Sequence, residues 1–377
     1  MTEAPPPRAT PRVLALNAGS SSIKFALYGT DDPRRPQLAE TLEHAGAASA
    51  ADLLIERLER RELLGSIDAI GHRVVHGGTR YSAPALIDDE LIRELRRIGE
   101  YSPEHLPLEI ELIERMRERL PRLRQVACFD TAFHHDMPRV AQLLPLPRRL
   151  DAKGVRRFGF HGLSYAFLME ELERLAGPAV ARGRTILAHL GNGSSLAAVR
   201  DGRSLDTTMA FTPAAGVPMG TRTGDIDPGL AWFLARTENM NAEQFHHMVN
   251  REAGMLGVSE TSSDMRELLA REPTDVRAAE AIGIYCYQIA KAIGALTVVL
   301  GGLDTLVFSG GIGERAPQIR SRIGERLGFL GVTIEPCAND ANAQVISTPN
   351  GAVSVRAIPT DEQAMIARAT LRLLQEA

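Results

Sequence analysis

The hydrophobic pattern near the start of the chain predicts two short strands joined by a tight turn. Residues 13–16 and 23–28 are apolar apart from Lys24, and a polar Gly/Ser stretch separates them. Apolar runs on either side of such a turn are typical of a hairpin. Hydroxyls and backbone N–H groups gather at its tip, which suits a bound phosphate. An ordinary polar loop without a ligand has the same pattern, so this segment alone leaves both interpretations open.

Strand and helix patterns then alternate along the chain, which predicts an α/β protein. One strand is expected over 67–75 and carries Arg73 near its end, and another over 125–130 has Asp130 at its C-terminal end. Ligands of α/β sheets bind beyond the carboxyl ends of the strands, so both side chains are candidates for a site. A surface ion pair for the arginine and a helix cap for the aspartate are the structural alternatives.

A second hairpin repeats the first about half a chain later. Its strand over 185–189 runs into a Gly/Ser turn, where Gly193 lies 174 residues after Gly19. Internal repetition on this scale predicts two related domains, each presenting such a turn to the phosphates of a nucleotide. Chance similarity between two short loops is the alternative.

Other polar residues are also flanked by glycines. His161 precedes the helix predicted over 163–175, Arg222 lies in the loop 216–228, and 305–314 has the pattern of a strand, a glycine turn and a helix. Glycine lets a backbone approach a ligand, and a helix N-terminus favours an anion. A lone histidine is more often structural, but the flanking glycines favour a functional role here.

Two further features have structural explanations. Thr360 and Gln363 have the spacing of a capping box at the start of a helix. Apolar residues at helical spacing predict a long core helix that runs into a strand rather than a membrane span, and they are Ile282, Tyr285, Ile289, Ile293, Leu296 and Leu300.

Composition is that of an ordinary enzyme with two domains. The chain has 377 residues, more than one core usually supports, and its net charge of −4 without a basic stripe disfavours a nucleic-acid partner. Cys128, Cys286 and Cys337 show no CxxC spacing, which fits a reducing cytoplasm. Residues 1–12 are proline-rich, lack a signal-peptide core and are expected to form a frayed tail.

Several common catalytic motifs are missing from the sequence: a Walker A loop, HExxH, GxSxG and the third glycine of a dinucleotide fingerprint. The remaining candidates are glycine turns, two arginines, strand-end acids and a histidine. Phosphoryl transfer uses this combination, with backbone cradles for the nucleotide, arginines for the phosphoryl oxygens and a carboxylate for Mg²⁺.

Seven segments in a shared order resemble the acetate kinase family, of the superfamily that includes sugar kinases, actin and the heat-shock ATPases. They are NAGSSSIK at 17–24, GHRVVHGG at 71–78, FDTAFH at 129–134, GFHG at 159–162, HLGNGSS at 189–195, MGTR at 219–222 and GGIGE at 310–314. The resemblance implies two duplicated actin-like, ribonuclease H-like α/β domains, each with a mixed sheet flanked by helices, and an interdomain cleft. The expected domains are 1–132 plus 362–377, and 133–361 with the nucleotide site and a dimer interface.

The resemblance also implies a reaction, the reversible in-line transfer of a phosphoryl group from ATP to a short-chain carboxylate with Mg²⁺ or Mn²⁺. By motif match, Arg73 and Arg222 are expected to clamp the carboxylate and the migrating group, His161 to donate to its oxygens, and Asp130 to orient the carboxylate or the arginines. A carboxylate substrate is already ionised and needs no strong general base.

The remaining expected site residues also come from the motif match. Asn17 and Glu362 are expected to support the metal. The acyl group is expected against Arg73, Val75, Phe160 and Pro213. The expected nucleotide contacts are Lys24, His189, Gly191, Asn192, Gly193, Asp264, Met265, Arg266, Gly310, Gly311, Ile312 and Gly313, with the adenine near 264–266 and 310–313.

Departures from the family pattern bear on the choice of acid. Glu104 stands where an apolar pocket residue is usual, Leu106 where an asparagine is usual and Tyr165 where a second histidine is frequent; the chain is also somewhat short. A pocket change of a methylene or two is worth about 1–3 kcal/mol. Acetate is expected as the preferred acid and propionate as the second. Glu104 is the reason to consider a larger or polar acid as an alternative substrate. Outside enzymes, the alternative is a non-catalytic actin-like ATPase module.

A cytoplasmic homodimer without a nucleic-acid or membrane partner is expected.

Overall fold

A computed structural model describes residues 11–19, 22–29, 34–43 and 47–376. The described strands are β1 (Arg12–Ala18), β2 (Ser22–Gly29), β3 (Leu38–Glu43), β4 (Ala69–Val74), β5 (Ala85–Leu86), β6 (Arg124–Phe129), β7 (Thr185–Leu190), β8 (Ser194–Arg200), β9 (Arg203–Thr207), β10 (Thr305–Ser309) and β11 (Ser354–Ala357). The described α-helices are α1 (Ala47–Arg60), α2 (Asp89–Arg97), α3 (Leu106–Arg119), α4 (Arg139–Gln142), α5 (Arg148–Asp151), α6 (Gly162–Ala176), α7 (Pro178–Ala181), α8 (Gly229–Thr237), α9 (Ala242–His247), α10 (Gly254–Ser259), α11 (Met265–Arg271), α12 (Val276–Leu300), α13 (Gly310–Arg315), α14 (Pro317–Glu325), α15 (Pro336–Asp340) and α16 (Glu362–Glu376).

The first compact unit comprises Met1–Ala132 and Asp361–Ala377. Its sheet has the order β3-β2-β1-β4-β6-β5, with β1 antiparallel to β2 and parallel to β4, and β4 parallel to β6. Apolar residues of α1 and α3 pack on one face of the sheet, and α16 packs on β1 and β4. Gly71 permits this approach, because a Cβ there would lie 2.3 Å from the hydroxyl of Thr370 in α16.

The second compact unit comprises Phe133–Thr360 and has a sheet of order β11-β10-β7-β8-β9. Helix α12 packs on one face and α6 on the other. The six residues at helical spacing in α12 are all buried, which confirms the predicted core helix. Among the described residues, α12 is also the one helix long and apolar enough to cross a membrane, but one side of it forms the core of this unit.

The two sheets share one strand order. In the first unit β3-β2-β1-β4-β6 runs from an antiparallel hairpin edge into parallel strands, and β9-β8-β7-β10-β11 does the same in the second. Strand β5 is an addition at the edge of the first sheet. The predicted α/β class, with two mixed sheets flanked by helices, is confirmed.

Two local predictions have other outcomes. The tip of the first hairpin, at Ser20 and Ser21, and most of the expected tail, residues 1–10, lie outside the described residues. The capping box of Thr360 and Gln363 is wrong, because α16 is capped one residue later by the carboxylate of Asp361, which accepts from the N–H of Ala364 at 2.9 Å. The N–H of Thr360 donates instead to Glu314 at 3.1 Å.

Candidate active site

The half-buried Arg73 and the buried Asp130 form an ion pair in the first unit. Arg73 is the penultimate residue of β4 and Asp130 follows β6 directly, so both side chains emerge at the carboxyl ends of neighbouring parallel strands. The Nε of Arg73 donates to Oδ2 of Asp130 at 3.0 Å, and Nη2 donates to the same oxygen. Asp130 is fully buried. Paired N–H donors of this kind fix the plane of the guanidinium.

Asn17 and Glu362 extend this pair into a chain of polar contacts. Nη1 of Arg73 donates to Oδ1 of Asn17 at 3.2 Å, and Nδ2 of Asn17 donates to Oε2 of Glu362 at 2.7 Å. Burial disfavours the charge of Arg73, but the carboxylates of Asp130 and Glu362 outweigh burial and raise its pKa. Lys24 pairs with Asn17 across the β1–β2 hairpin and is exposed.

This chain of contacts fits a magnesium ion. The described residues contain no cluster of three or more His, Cys, Asp or Glu side chains that could hold a metal by themselves. Mg²⁺ is usually held by one or two carboxylates together with water and substrate phosphates. The carboxylate of Glu362 meets that requirement, and Asn17 lies beside it with its amide nitrogen toward Glu362 and its amide oxygen toward Arg73.

Sequence reasoning missed a buried acid beside this group, Glu109 of α3. Its Oε2 accepts from the N–H of Val75 at 3.0 Å, and its Oε1 is buried and has no hydrogen-bond partner in the described part of the chain. Burial raises the pKa of Glu109 to about 8, and the charge of Arg73 opposes the rise. The signal in the sequence was position, because Glu109 lies on the same helical face as the buried Leu106, Ile110 and Ile113.

In the second unit, His161 caps the start of α6 in a left-handed conformation, with φ of 59°. This region is costly for a residue other than glycine and often occurs at functional sites. The ring of His161 stacks on that of His189, with centroids 4.3 Å apart. The carbonyl of the preceding Phe160, whose side chain is buried, accepts from Nε2 of His134 at 3.1 Å.

Arg222 and His161 both lie over the turn at Gly193. A Cβ added to Gly193 would be 2.8 Å from Nη2 of Arg222 and 3.3 Å from Nε2 of His161. Nη1 of Arg222 donates to the carbonyl of Pro213 at 2.7 Å. The neighbouring Asn192 is exposed, and its carbonyl accepts from Gly220 at 3.0 Å. The structure therefore brings two predicted catalytic residues onto the predicted phosphate turn 191–193.

The turn after β10 lies against the end of β7. Gly310 has φ of +74°, and a Cβ there would lie 2.6 Å from the carbonyl oxygen of Leu190. Its N–H donates to Glu314 at 3.0 Å. Gly311 is exposed, Ile312 is half-buried and Gly313 is buried.

The last group of predicted nucleotide residues lies at the start of α11. The carboxylate of Asp264 caps this helix and pairs with the exposed side chain of Arg266, whereas Met265 is buried in the core. The N–H of Asp264 donates to the hydroxyl of Ser262 at 3.0 Å. The polar contacts of Asp264 therefore stay within a few residues of it along the chain.

Comparison with known proteins decides the family. Residues 30–368 match the model of the acetokinase family. The chain belongs to this family. The acetokinase resemblance seen in the seven segments is thus confirmed, and membership makes the chain a carboxylate phosphotransferase that uses ATP or ADP.

Relatives in the acetokinase family match over nearly their whole length. An acetate kinase of Rhodopseudomonas palustris strain TIE-1 is 44% identical over 397 residues, covering 96% of this chain and 98% of the relative. A propionate kinase structure from Francisella tularensis has a TM-score of 0.89 at 33% identity, covering 96% of this chain and 99% of its own. An acetate kinase structure from Porphyromonas gingivalis has a TM-score of 0.88 at 33% identity, covering 97% and 100%.

Proposed function

We propose that the protein catalyses reversible, Mg²⁺-dependent phosphoryl transfer from ATP to a short-chain carboxylate, with acetate the preferred acid and propionate the next. The observation that carries this proposal is the ion pair between Arg73 and the buried Asp130 at the strand ends. An arginine whose plane is fixed by a buried carboxylate is a preorganised receptor for an anion. The propionate kinase among the similar structures favours propionate as the second acid.

Arg73 and Arg222 are assigned to the substrate carboxylate and the migrating phosphoryl group. Each is held by its own unit, Arg73 by Asp130 and Arg222 by the carbonyl of Pro213. Arg73 keeps N–H donors for a ligand, because a guanidinium has five and its bonds to Asp130 and Asn17, among the described residues, use three of them. Asp130 orients Arg73 and is not a base, since the substrate is already an anion.

His161 is assigned to donate a hydrogen bond to the phosphoryl oxygens. Donors that are fixed before the reaction lower the barrier, because they need no reorganisation as charge moves between oxygens. The left-handed backbone of His161 and its stacking on His189 hold the ring in place. Direct in-line transfer needs such positioning more than it needs acid–base chemistry.

Asn17 and Glu362 are assigned to Mg²⁺, for which Mn²⁺ is a substitute. When bound, the ion would offset the negative charge of the phosphate oxygens. The nucleotide is assigned to Lys24, His189, the turn Gly191–Asn192–Gly193 and two further groups, Asp264, Met265 and Arg266 near the adenine and Gly310, Gly311, Ile312 and Gly313 beside it.

Val75, Phe160 and Pro213 are assigned to the acyl group. Val75 and Phe160 are apolar and only 2% and 1% exposed, and an apolar lining of this kind favours a short apolar acyl chain. Glu104, which is half-buried, is the feature that would favour a polar acid. A hydroxamate-trapping assay with ATP, Mg²⁺ and a panel of acids measures the choice. Turnover is expected with acetate and then propionate, and no acyl hydroxamate with acetate, propionate or butyrate would refute the function.

Arg222→Ala tests the site within the same assay. We expect kcat to fall about 1,000-fold, the scale of losing a transition-state charge contact, while ATP still binds. Near-normal turnover by this variant would remove Arg222 from the mechanism.

We also infer a homodimer in the cytoplasm. Helix α8 has an apolar sequence, yet none of its residues is buried, and Leu230, Trp232 and Phe233 are 41%, 72% and 56% exposed. Large exposed apolar patches usually mark contact surfaces. Light scattering on the purified protein measures the mass, and Trp232→Glu is expected to shift a dimer toward the monomer. Cys128, Cys286 and Cys337 are free thiols, which suits a reducing compartment.

A further inference from the structure

Two consecutive serines of β8 bond to two buried tyrosines. Neighbouring strand residues point to opposite faces of a sheet, so Ser194 faces α12 and Ser195 faces α6. The hydroxyl of Ser194 bonds to that of Tyr285 at 2.9 Å, and the hydroxyl of Ser195 bonds to that of Tyr165 at 2.5 Å. The two serines differ in their second partner, because Ser194 donates to the backbone of Gly191, whereas Ser195 bonds to a histidine.

Ser195 connects Tyr165 to the imidazole of His161. Its Oγ lies 2.9 Å from Nδ1 of His161. Tyr165 is fully buried, and Ser195 is the one hydrogen-bond partner that its hydroxyl has among the described residues. These contacts form a relay of three side chains, Tyr165, Ser195 and His161. Both end residues of the relay belong to α6, because Tyr165 lies in this helix and His161 is its N-cap residue.

The number of hydrogens on these side chains determines which group donates and which accepts in each hydrogen bond of the relay. A buried hydroxyl hydrogen without an acceptor is costly, so Tyr165 donates to Ser195. Burial raises the pKa of Tyr165, which keeps its proton in place. Ser195 has a single hydrogen, which it then donates to Nδ1 of His161. A neutral imidazole whose Nδ1 accepts carries its own proton on Nε2.

Nε2 is the nitrogen that faces the glycine turn. A Cβ added to Gly193 would lie 3.3 Å from Nε2 of His161. The same Cβ would lie 2.8 Å from Nη2 of Arg222. The reverse tautomer would present an acceptor lone pair here, and a lone pair repels phosphoryl oxygens. We propose that Tyr165 is a positioning residue that acts through Ser195 to hold His161 in its Nε2–H tautomer, so that His161 donates to the phosphoryl group in the proposed reaction. This inference rests on the proposed function for the identity of the acceptor, but the tautomer itself does not.

Nitrogen NMR of the protein with ¹⁵N-labelled histidine measures the tautomer directly. The spectrum of a His161→Gln variant assigns the His161 signals by their loss. At a pH where the ring is neutral, wild-type His161 is expected to show a protonated Nε2 and an unprotonated Nδ1. A predominantly Nδ1-protonated ring in the wild type would overturn the proposal.

Tyr165→Phe removes the first donor and keeps the ring. Ser195 is then free to accept from Nδ1–H, so His161 signals are expected to move toward a mixture of both tautomers. Loss of one such hydrogen bond corresponds to a fall in kcat of about two- to tenfold, with the KM for ATP nearly unchanged. Unchanged His161 signals in this variant would also contradict the proposal.

Tyr285→Phe is the matched control for folding and for the spectrum. It removes the equivalent buried hydroxyl from Ser194, so a similar loss of thermal stability is expected, with His161 signals as in the wild type. If Tyr165→Phe does not fold, Ser195→Ala removes the same relay at its middle and is expected to give the same tautomer mixture. If no carboxylate is phosphorylated at all, the kinetic result reports on the proposed function, and the spectra still decide the tautomer.

Discussion

The carboxylate of Glu109 accepts a hydrogen bond of 3.0 Å from the backbone N–H of Val75 in the buried interior of the first unit. This bond ties α3 to the end of β4, two residues after Arg73. The other carboxylate oxygen is buried and has no hydrogen-bond partner among the described residues. Since the first oxygen accepts from Val75, the second is the one that carries the proton when Glu109 is neutral. A titrating group therefore lies beside a residue assigned to the acyl group.

Glu109→Gln is expected to remove a pH dependence of stability. The folded pKa of about 8 lies above the ordinary value of 4.5, so the folded state binds more protons between these values. The free energy of unfolding of the wild type then decreases as the pH rises through this window, by up to about 1.4 kcal/mol per pH unit from this group. The variant keeps an acceptor for Val75 and loses this slope. Urea denaturation at several pH values measures it.

The control for this prediction is Glu111→Gln, which changes an exposed acid of the same helix. Its unfolding free energies are expected to follow those of the wild type. Parallel curves for the wild type and Glu109→Gln between pH 5 and 9 would show that Glu109 is already ionised in the folded protein.

The same ionisation is expected to change the KM for the acid substrate. The charged groups that act on Glu109 are Arg73, which lowers its pKa, and Asp130, which raises it. Above pH 8 an ionised Glu109 adds negative charge near Arg73 and weakens its attraction for a carboxylate, by about fivefold for roughly 1 kcal/mol of interaction. Initial rates at saturating ATP from pH 7 to 9.5 give the KM. A rise of equal size in Glu109→Gln would assign the effect to another group.

Asp130→Asn is expected to lower kcat/KM for the acid about 100-fold, since a small misplacement of a positioning arginine has an effect of this size. The matched control is Asp304→Asn, which alters another Arg–Asp pair, that of Arg184, at the amino end of β10 and partly exposed to solvent. The control is expected to keep normal kinetics. If the two variants lose activity equally, the effect comes from general destabilisation and not from Arg73.

Gly310→Ala is expected to destabilise the second unit by about 1–3 kcal/mol, because alanine is strained at φ of +74° and its Cβ would meet the carbonyl of Leu190. Gly311→Ala is the control, since a Cβ at that position meets nothing within 4 Å. Thermal and urea unfolding of both variants measure the difference. Equal stability of the two would mean that the turn at Gly310 relaxes without cost.

The features that could be predicted from the sequence are those that depend on residues close to one another along the chain. Spacing alone placed α12, and two similar hairpins placed the first strands of each sheet. The strand-end position of Asp130 follows from the apolar and β-forming residues before it, and the family follows from seven ordered segments.

The features that the sequence did not predict depend on contacts between distant residues. Glu109 matters because it meets Val75, which lies 34 residues away, and no local pattern records that contact. The partnership of Tyr165 with Ser195 across 30 residues is of the same kind. The capping error at Thr360 was a shift of one residue, which a pattern with two adjacent polar residues cannot resolve.

Helix α16 belongs to the first unit, although the chain must pass through the whole second unit before reaching it. During synthesis on the ribosome, β1 and β4 are therefore made long before the helix that covers them. Asn17 is synthesised 345 residues before Glu362, its hydrogen-bond partner. The second unit is complete at Thr360, directly before this helix. A chain terminated there would therefore contain the whole second unit without the complete proposed metal site.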